Sequence, residues 1–180
     1  MKNILYSLAV ILLVSTVSCK KSKHSDDVSC DLPATAVPVE MQGAWASGFS
    51  SFTEVVDTYN GQHLGNTWQS GKYFLFQNDG EYAELYYTAS AGVSSKTATK
   101  AIGTVTFDEN EGSFVFHCCS AHYRGWQNGA LTVDRNATAD ETANNLTQKF
   151  YYSFETIGGV TWMQIRFDPQ GSPSSFRSVN

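Results

Sequence analysis

The residues whose types most suggest chemistry stand together in FHCCSAHYRGW, residues 116–126. Two thiols and two imidazoles could bind a metal ion, and adjacent cysteines could form a redox-active bridge. Structural zinc sites, however, combine a spaced pair of cysteines with a spaced pair of histidines, and these cysteines are adjacent. His117 and Cys119 share a strand face and could chelate a metal ion, with His63 as a remote third ligand, but this spacing is a weak signal. No metal site is therefore predicted.

The same stretch is also typical of a β-strand. Alternation along a strand places Phe116 and Cys118 on one face and His117 and Cys119 on the other. The two cysteines then point apart, which disfavours a bridge between neighbours. The strand is predicted to run from a core that includes Phe116 to a polar rim, where the planar fork of Arg124 could bind a carboxylate.

Other chemistries find little support in the sequence. Glu81 and Glu84 follow one turn closely, but strand parity puts them on opposite faces. No Gly-x-Ser-x-Gly elbow, phosphate loop or His-Glu-x-x-His motif occurs, so neither catalysis nor a cofactor is predicted. The net charge is -5 and no basic run follows Lys23, which argues against nucleic-acid binding.

Turn signals divide most of the chain into antiparallel hairpins. Two β-rich runs flank NDG at 78–80, two more flank DENEG at 108–112, and a third pair flanks IGG at 157–159. In the first hairpin, Phe74 and Phe76 share one face, and Tyr73 and Leu75 share the other. GAWASG and GALTVD add short strands, which gives about eight in all. We therefore predict an all-β, antiparallel up-and-down barrel, with a β-sandwich as the alternative.

The N-terminus begins with one lysine and a short apolar run that ends before Cys19. A run of this length is typical of a signal peptide and is too short for a membrane-spanning helix. With SCKK at its end, it resembles a bacterial lipoprotein signal of the Bacteroidetes type. The resemblance implies cleavage before Cys19, lipidation of its thiol, and a location in the bacterial envelope. We expect the outer membrane, because the residue after Cys19 is Lys20 and not Asp. We expect a signal peptide at 1–18, a lipidated flexible tether at 19–39 and the barrel domain at 40–180.

Lipidation of Cys19 would leave three cysteines, since the chain has 4 in all. One bridge would then leave one free thiol. Cys30 could pair with Cys118 or with Cys119, and either bridge would fasten the tether to the barrel. A second possibility is that Cys118 is a small buried apolar residue.

MQGAWASG, residues 41–48, resembles the Gly-x-Trp opening of lipocalins and lipocalin-like bacterial domains. YFLFQNDGEY and GTVTFDENEGSFVF resemble hairpins of those domains. The resemblance implies that Trp45, preceded by Gly43, closes the barrel base and that Arg166 lies over the Trp45 ring.

The resemblance also implies binding of a small, mostly apolar molecule. We therefore expect a protein that binds a small apolar or amphipathic ligand and, because catalytic motifs are lacking, not an enzyme. Alternation leaves open whether the barrel interior is a pocket or is filled by its own side chains. The alternative function is an interaction lipoprotein whose filled barrel binds an envelope protein or glycan. The oligomeric state is not predicted. The candidate ligand-binding residues are Phe74, Phe76, Tyr86, Phe116, Arg124, Trp126 and Phe154.

Overall fold

The chain folds as an antiparallel β protein in the computed structural model, which describes residues 30–49, 52–60, 68–91 and 94–179. Three short helical segments interrupt the strands: a 3-10 turn at Val39–Met41, helix α1 at Phe52–Asn60, and a π-turn at Glu141–Leu146. The strands are β1 Gly43–Ser47, β2 Trp68–Phe76, β3 Ala83–Ala91, β4 Ser95–Asp108, β5 Ser113–Gln127, β6 Ala130–Asn136, β7 Gln148–Ile157, β8 Val160–Arg166 and β9 Ser174–Ser178.

The strands close into a barrel. β1 pairs with both β2 and β9, and β4 pairs with β5, so eight of the nine strands form a ring. The first half of β5 pairs with β7, and its second half pairs with β6, which lies outside the ring. The predicted all-β barrel is confirmed. The prediction of which strands form the barrel was wrong in one respect, because it included β6 and missed β9.

The three predicted hairpins are all present, and glycines form their turns. The β2–β3 connection contains Gly80 with a φ of 70°, and the β4–β5 connection ends at Gly112 with a φ of 65°. Gly158 and Gly159, with φ of 60° and 82°, form the two-residue β7–β8 turn. Two successive positive φ values are typical of the turn that matches the twist of an antiparallel pair.

Alternation sorts the side chains into an interior and an outer layer. Phe74 and Phe76 point into the barrel, while Tyr73 and Leu75 belong to the outer layer, as the sequence predicts. The register between β2 and β3 then fixes which side chains of β3 point inward, because Phe74 lies opposite Leu85. Facing residues of an antiparallel pair share one side of the sheet. The buried interior contains Val37, Met41, Trp45, Phe74, Phe76, Ala83, Ala101, Val105, Phe114, Phe116, Cys118, Ala121, Phe150, Met163, Ile165 and Phe176.

Helix α1 covers part of the outer layer. Val55 is buried there, and Tyr59, one turn later, meets Tyr86 with ring centroids 5.6 Å apart. Residues four apart lie on one face of a helix, so both side chains point at the sheet. The sequence analysis did not predict this helix, which has only 9 residues.

Residues 30–39 lie against the barrel, although they were predicted to belong to a free tether. The Thr35 amide donates to the Val105 carbonyl at 3.0 Å, and the Val37 amide donates to the Asn78 carbonyl at 3.0 Å. Val37 is buried in the core, and Cys30 is bonded to Cys119. The second half of the predicted tether is therefore part of the folded domain.

Strand β5 carries a bulge at its two cysteines. Gly103 pairs with Cys118, but Ile102 pairs with Ser120, so Cys119 is an extra residue without a partner on β4. The extra residue inverts the alternation beyond this point, and the next buried interior residue is Ala121. Cys118 and Cys119 point apart as predicted, and every later side chain of β5 lies on the opposite face from the one that uninterrupted alternation would give.

Candidate functional site

One half of the barrel interior is filled by aromatic rings. Phe114 packs against Phe150 at 5.1 Å, Phe76 at 5.3 Å and Phe107 at 5.3 Å between ring centroids. Tyr152 joins the cluster edge-on to Phe107. Offset and edge-to-face contacts of this kind each add to the free energy gained by burying the rings.

Trp45 lies beyond this cluster, at the same end of the barrel. Its indole N–H donates to the Met41 carbonyl at 2.9 Å, and its ring contacts Phe154 at 5.8 Å. Gly43, at the start of β1, has a φ of 96°, a conformation that glycine adopts readily. Together with buried Met41 and Val37, Trp45 fills this end of the barrel.

The predicted contact between Arg166 and Trp45 is absent. Arg166 faces Tyr151 across β7 and β8 and donates to the Ser153 hydroxyl at 3.1 Å. Its neighbour Ile165 is a buried interior residue, so alternation places Arg166 on the outer face of the barrel. Trp45 points inward, and the wall of the barrel separates the two side chains.

The other half of the interior is a cavity of about 380 Å³. Phe74, Phe150 and Phe176 form its floor, with the Phe74 ring 5.4 Å from each of the other two. Leu85, Ala101 and Ile165 belong to its walls, and the π-turn contributes Asn145 and Leu146. The complete lining is Lys72, Phe74, Leu85, Tyr87, Thr99, Ala101, Asn145, Leu146, Gln148, Phe150, Ile165, Phe167 and Phe176.

The rim of the cavity carries its polar groups and is accessible to solvent. Tyr87 is 41% exposed and Phe167 is 60% exposed. Lys72 reaches from β2 past β1 to the Ser174 hydroxyl of β9, at 3.5 Å, and its ammonium lies 5.1 Å from the centre of the Phe167 ring. Partial burial lowers the pKa of Lys72 below its ordinary value. Among the described residues that line the cavity, Lys72 is the only charged one.

Local hydrogen bonds hold the π-turn at the cavity. The Thr147 amide donates to the Thr142 carbonyl at 3.0 Å, which closes the wide turn. The Thr147 hydroxyl accepts a hydrogen bond from the Cys118 amide at 3.0 Å, which links the turn to β5. Arg135 and Glu141 form two parallel hydrogen bonds at 2.9 and 2.8 Å that brace the preceding connection. The position of Leu146 over the cavity is therefore fixed from both sides.

The predicted ligand-binding residues lie in three different places. Phe74 lines the cavity. Phe76, Phe116 and Phe154 point into the interior but lie in or against the filled half. The structure places the remaining three outside the barrel, under or beside α1; these are Tyr86, Arg124 and Trp126.

The outer residues contact α1 or lie beside it, outside the lining of the interior cavity. The Arg124 guanidinium lies 4.5 Å from the centre of the Tyr59 ring and donates to the Tyr59 carbonyl at 3.4 Å. Asp134 of β6 lies 3.5 Å from the same guanidinium. Lys96 lies 5.0 Å from the Trp126 ring. Burial raises the pKa of Tyr86 far above its ordinary value, so the phenol stays neutral.

Most residues that line the cavity were not predicted from the sequence, although the sequence contains one pattern that indicates them. Had Asp79 and Gly80 been taken as the two central residues of the turn, counting back would have placed Leu85 opposite Phe74 and Tyr87 opposite Lys72. That is the observed register. The same count shows that Tyr86 faces outward with Tyr73.

In the motif FHCCSAHYRGW, Cys119 and His117 contact residues on other segments, whereas Cys118 has a free thiol. Cys119 is bonded to Cys30, one of the two pairings that the sequence left open. The His117 Nε2 lies 2.9 Å from the Thr106 hydroxyl. Cys118 is free and buried, and burial raises the pKa of its thiol to about 11. The described residues contain no cluster of three metal-binding side chains; His63 lies outside them.

No protein-family model and no curated protein matches this chain. The predicted signal segment 1–18 and Cys19 lie outside the described residues. Within the described ranges, none of the helices has the length and apolar character needed to cross a membrane.

Proposed function

We propose that the barrel binds a small apolar or amphipathic ligand in the cavity at its open end. We propose further that it acts as a lipid-anchored binding protein of the cell envelope, located at the outer membrane, and not as an enzyme. The cavity is the observation that carries the first proposal. The signal-like residues before Cys19 carry the second.

The form and lining of the cavity favour a ligand that is mainly apolar. Its volume of about 380 Å³ falls near the lower end of the range of about 300–1,000 Å³ usual for ligand pockets. Its floor is three phenylalanine rings, and its walls are aliphatic. None of its polar lining residues is buried, so they could orient a ligand without opposing burial of its apolar part.

The alternative function, an interaction lipoprotein, requires no accessible interior. The filled half of the barrel is compatible with it, but the open half favours ligand binding. An unfilled apolar cavity lacks packing contacts that larger side chains would have provided. A ligand would restore those contacts.

Titration of the purified full-length chain with N-phenyl-1-naphthylamine, an uncharged fluorescent probe, tests the cavity. Thr99→Phe places a ring in the cavity, and we expect probe affinity to fall by about tenfold or more, the factor that corresponds to 1.4 kcal/mol. Thr97→Phe, on the same strand but exposed and outside the lining, is the matched control. Equal binding by both variants, or no binding by the parent chain, would refute the proposed site.

A second measurement tests the anchor. Growth with an alkyne-labelled palmitate should label the parent protein, and Cys19→Ser should abolish both the label and recovery with membranes. Cys30→Ser, which changes a cysteine that the structure places in a disulfide, should keep the label. Labelling that survives Cys19→Ser would exclude Cys19 as the anchor.

A further inference from the structure

Lys72 is unusual among the lysines of the domain because of where its charge lies. Its ammonium projects over the mouth of an apolar cavity, near the Ser174 hydroxyl and the Phe167 ring. In the described part of the chain these two groups are its contacts, and neither carries a negative charge. Burial without an ionic partner disfavours the charged form of a lysine.

Two other lysines of the barrel have carboxylate partners. Lys100 lies 3.4 Å from Glu84, and Lys149 pairs with Glu111. Lys149 also lies 5.1 Å from the centre of the Tyr151 ring, the same separation as Lys72 from Phe167. The two environments therefore differ in two respects: Lys72 is partly buried, and it has no anion beside it.

We propose that the ligand carries one anionic group, such as a terminal carboxylate, which binds Lys72 at the rim while its apolar part fills the cavity. This inference rests on the proposed function, since it names the chemical class of ligand for the same cavity. An ammonium has three donors, and the Ser174 hydroxyl uses one of them. The remaining donors are free to bind an oxyanion from the ligand.

The surrounding residues suit such a ligand at both of its ends. Next to the ammonium, the half-exposed rim keeps a carboxylate partly hydrated, so its desolvation is incomplete. Below the rim, Phe74, Phe150 and Phe176 accept an alkyl chain or ring. A bound carboxylate would also favour the charged form of Lys72 and oppose the effect of burial on its pKa.

Displacement of N-phenyl-1-naphthylamine by decanoate and by decanol provides the test, because the two competitors differ only in the head group. The parent chain should bind decanoate more tightly than decanol. Lys72→Met should weaken the binding of decanoate by roughly tenfold to a hundredfold, the range for hydrogen bonds to charged groups. It should leave the binding of decanol nearly unchanged. Lys72→Arg should retain most of the preference, and Lys72→Gln replaces the methionine variant if that aggregates.

Lys149→Met is the matched control, since it removes an equivalent positive charge over a tyrosine ring on the outer surface. It should change neither affinity by more than about twofold. Equal effects of Lys72→Met and Lys149→Met on decanoate would overturn the inference and indicate only a change in net charge. If decanol binds the parent chain but Lys72→Met does not weaken the binding of decanoate, the cavity proposal stands and the anionic ligand is refuted. If neither compound nor the probe binds, the proposed function itself fails.

Discussion

Removal of the Cys30–Cys119 bridge should lower the free energy of unfolding substantially without altering the folded barrel. The two cysteines are separated by 89 residues. In the chain-entropy account, a bridge that closes a loop of this length stabilises the fold by about 4.6 kcal/mol at room temperature, because it restricts the unfolded chain. The double variant Cys30→Ala/Cys119→Ala removes the bridge and leaves no new thiol beside Cys118.

The other contacts of the N-terminal arm explain why the folded state should persist. The backbone bonds of Thr35 and Val37 with the barrel involve neither cysteine, and the Phe107 amide donates to the Thr35 hydroxyl at 2.8 Å. The lost stability should therefore come chiefly from the unfolded state. Because measured effects of native bridges fall between about 2 and 5 kcal/mol, we expect a decrease within that range.

Urea unfolding of the parent chain and the double variant measures this decrease. Reductant provides a control, because it should destabilise the parent chain to a similar extent and leave the double variant unchanged. Hydrogen exchange at the Thr35 amide then locates the effect. A decrease below about 1 kcal/mol, together with rapid exchange at Thr35, would refute the reasoning. That result would show that the bridge only holds the arm locally.

Three further predictions concern the barrel interior. Phe114→Ala should lower the free energy of unfolding, measured by urea titration, by about 3–5 kcal/mol, because it empties the centre of the aromatic cluster. The control Ile157→Ala, at an exposed turn, should change it by less than about 0.5 kcal/mol. The pKa of the Cys118 thiol rises from 9.0 to about 11 on folding, so the unfolded chain loses this proton first as pH rises. Between these pH values, the free energy of unfolding of the parent chain should therefore fall relative to that of Cys118→Ala. An equal pH dependence in the two proteins would contradict the raised pKa of the Cys118 thiol. In the absence of ligand, Lys72→Met should raise the free energy of unfolding by about 0.5–2 kcal/mol, the range common for one stabilising substitution, because it removes a partly buried charge that has no ionic partner. A decrease would count against a binding role for that charge.

The hairpins and the inward face of β2 were predictable because their signals are local. Glycine at 80, 112, 158 and 159 supplies the positive φ that their turns require. Alternation then separates Phe74 and Phe76 from Tyr73 and Leu75 without any knowledge of the partner strands. Both features depend on neighbouring residues alone, which is why the sequence was sufficient.

Strand β9 depends instead on distant partners. Ser174–Ser178 has one buried apolar residue, Phe176, and no alternating apolar pattern. It is a strand because β8 and β1 pair with its two sides and close the ring. A segment whose hydrogen bonds are supplied by strands far away in the sequence carries little pattern of its own.

The bulge on β5 had one indirect signal. Gly103 lies in the middle of β4, where glycine often marks a bulge or a close approach of two backbones. A Cβ atom at Gly103 would lie 2.0 Å from the His117 carbonyl oxygen, so the strands approach too closely for any side chain. The glycine indicates an irregularity but not which strand holds the extra residue. For this reason the sequence did not reveal that Arg124 and Trp126 lie outside the barrel, beside α1.

The same bulge determines which residue of β5 faces Ala101, a residue of the cavity lining. Without the extra residue, Ala101 would lie opposite Ser120, and His122 and Arg124 would follow on the inside of the barrel. With it, Ala101 lies opposite Ala121, and two of the smallest side chains meet on one wall. In the filled half, by contrast, Phe107 faces Phe114 and Val105 faces Phe116. The register of β4 against β5 therefore brings two alanines together beside the open half of the interior and two phenylalanines together in the filled half.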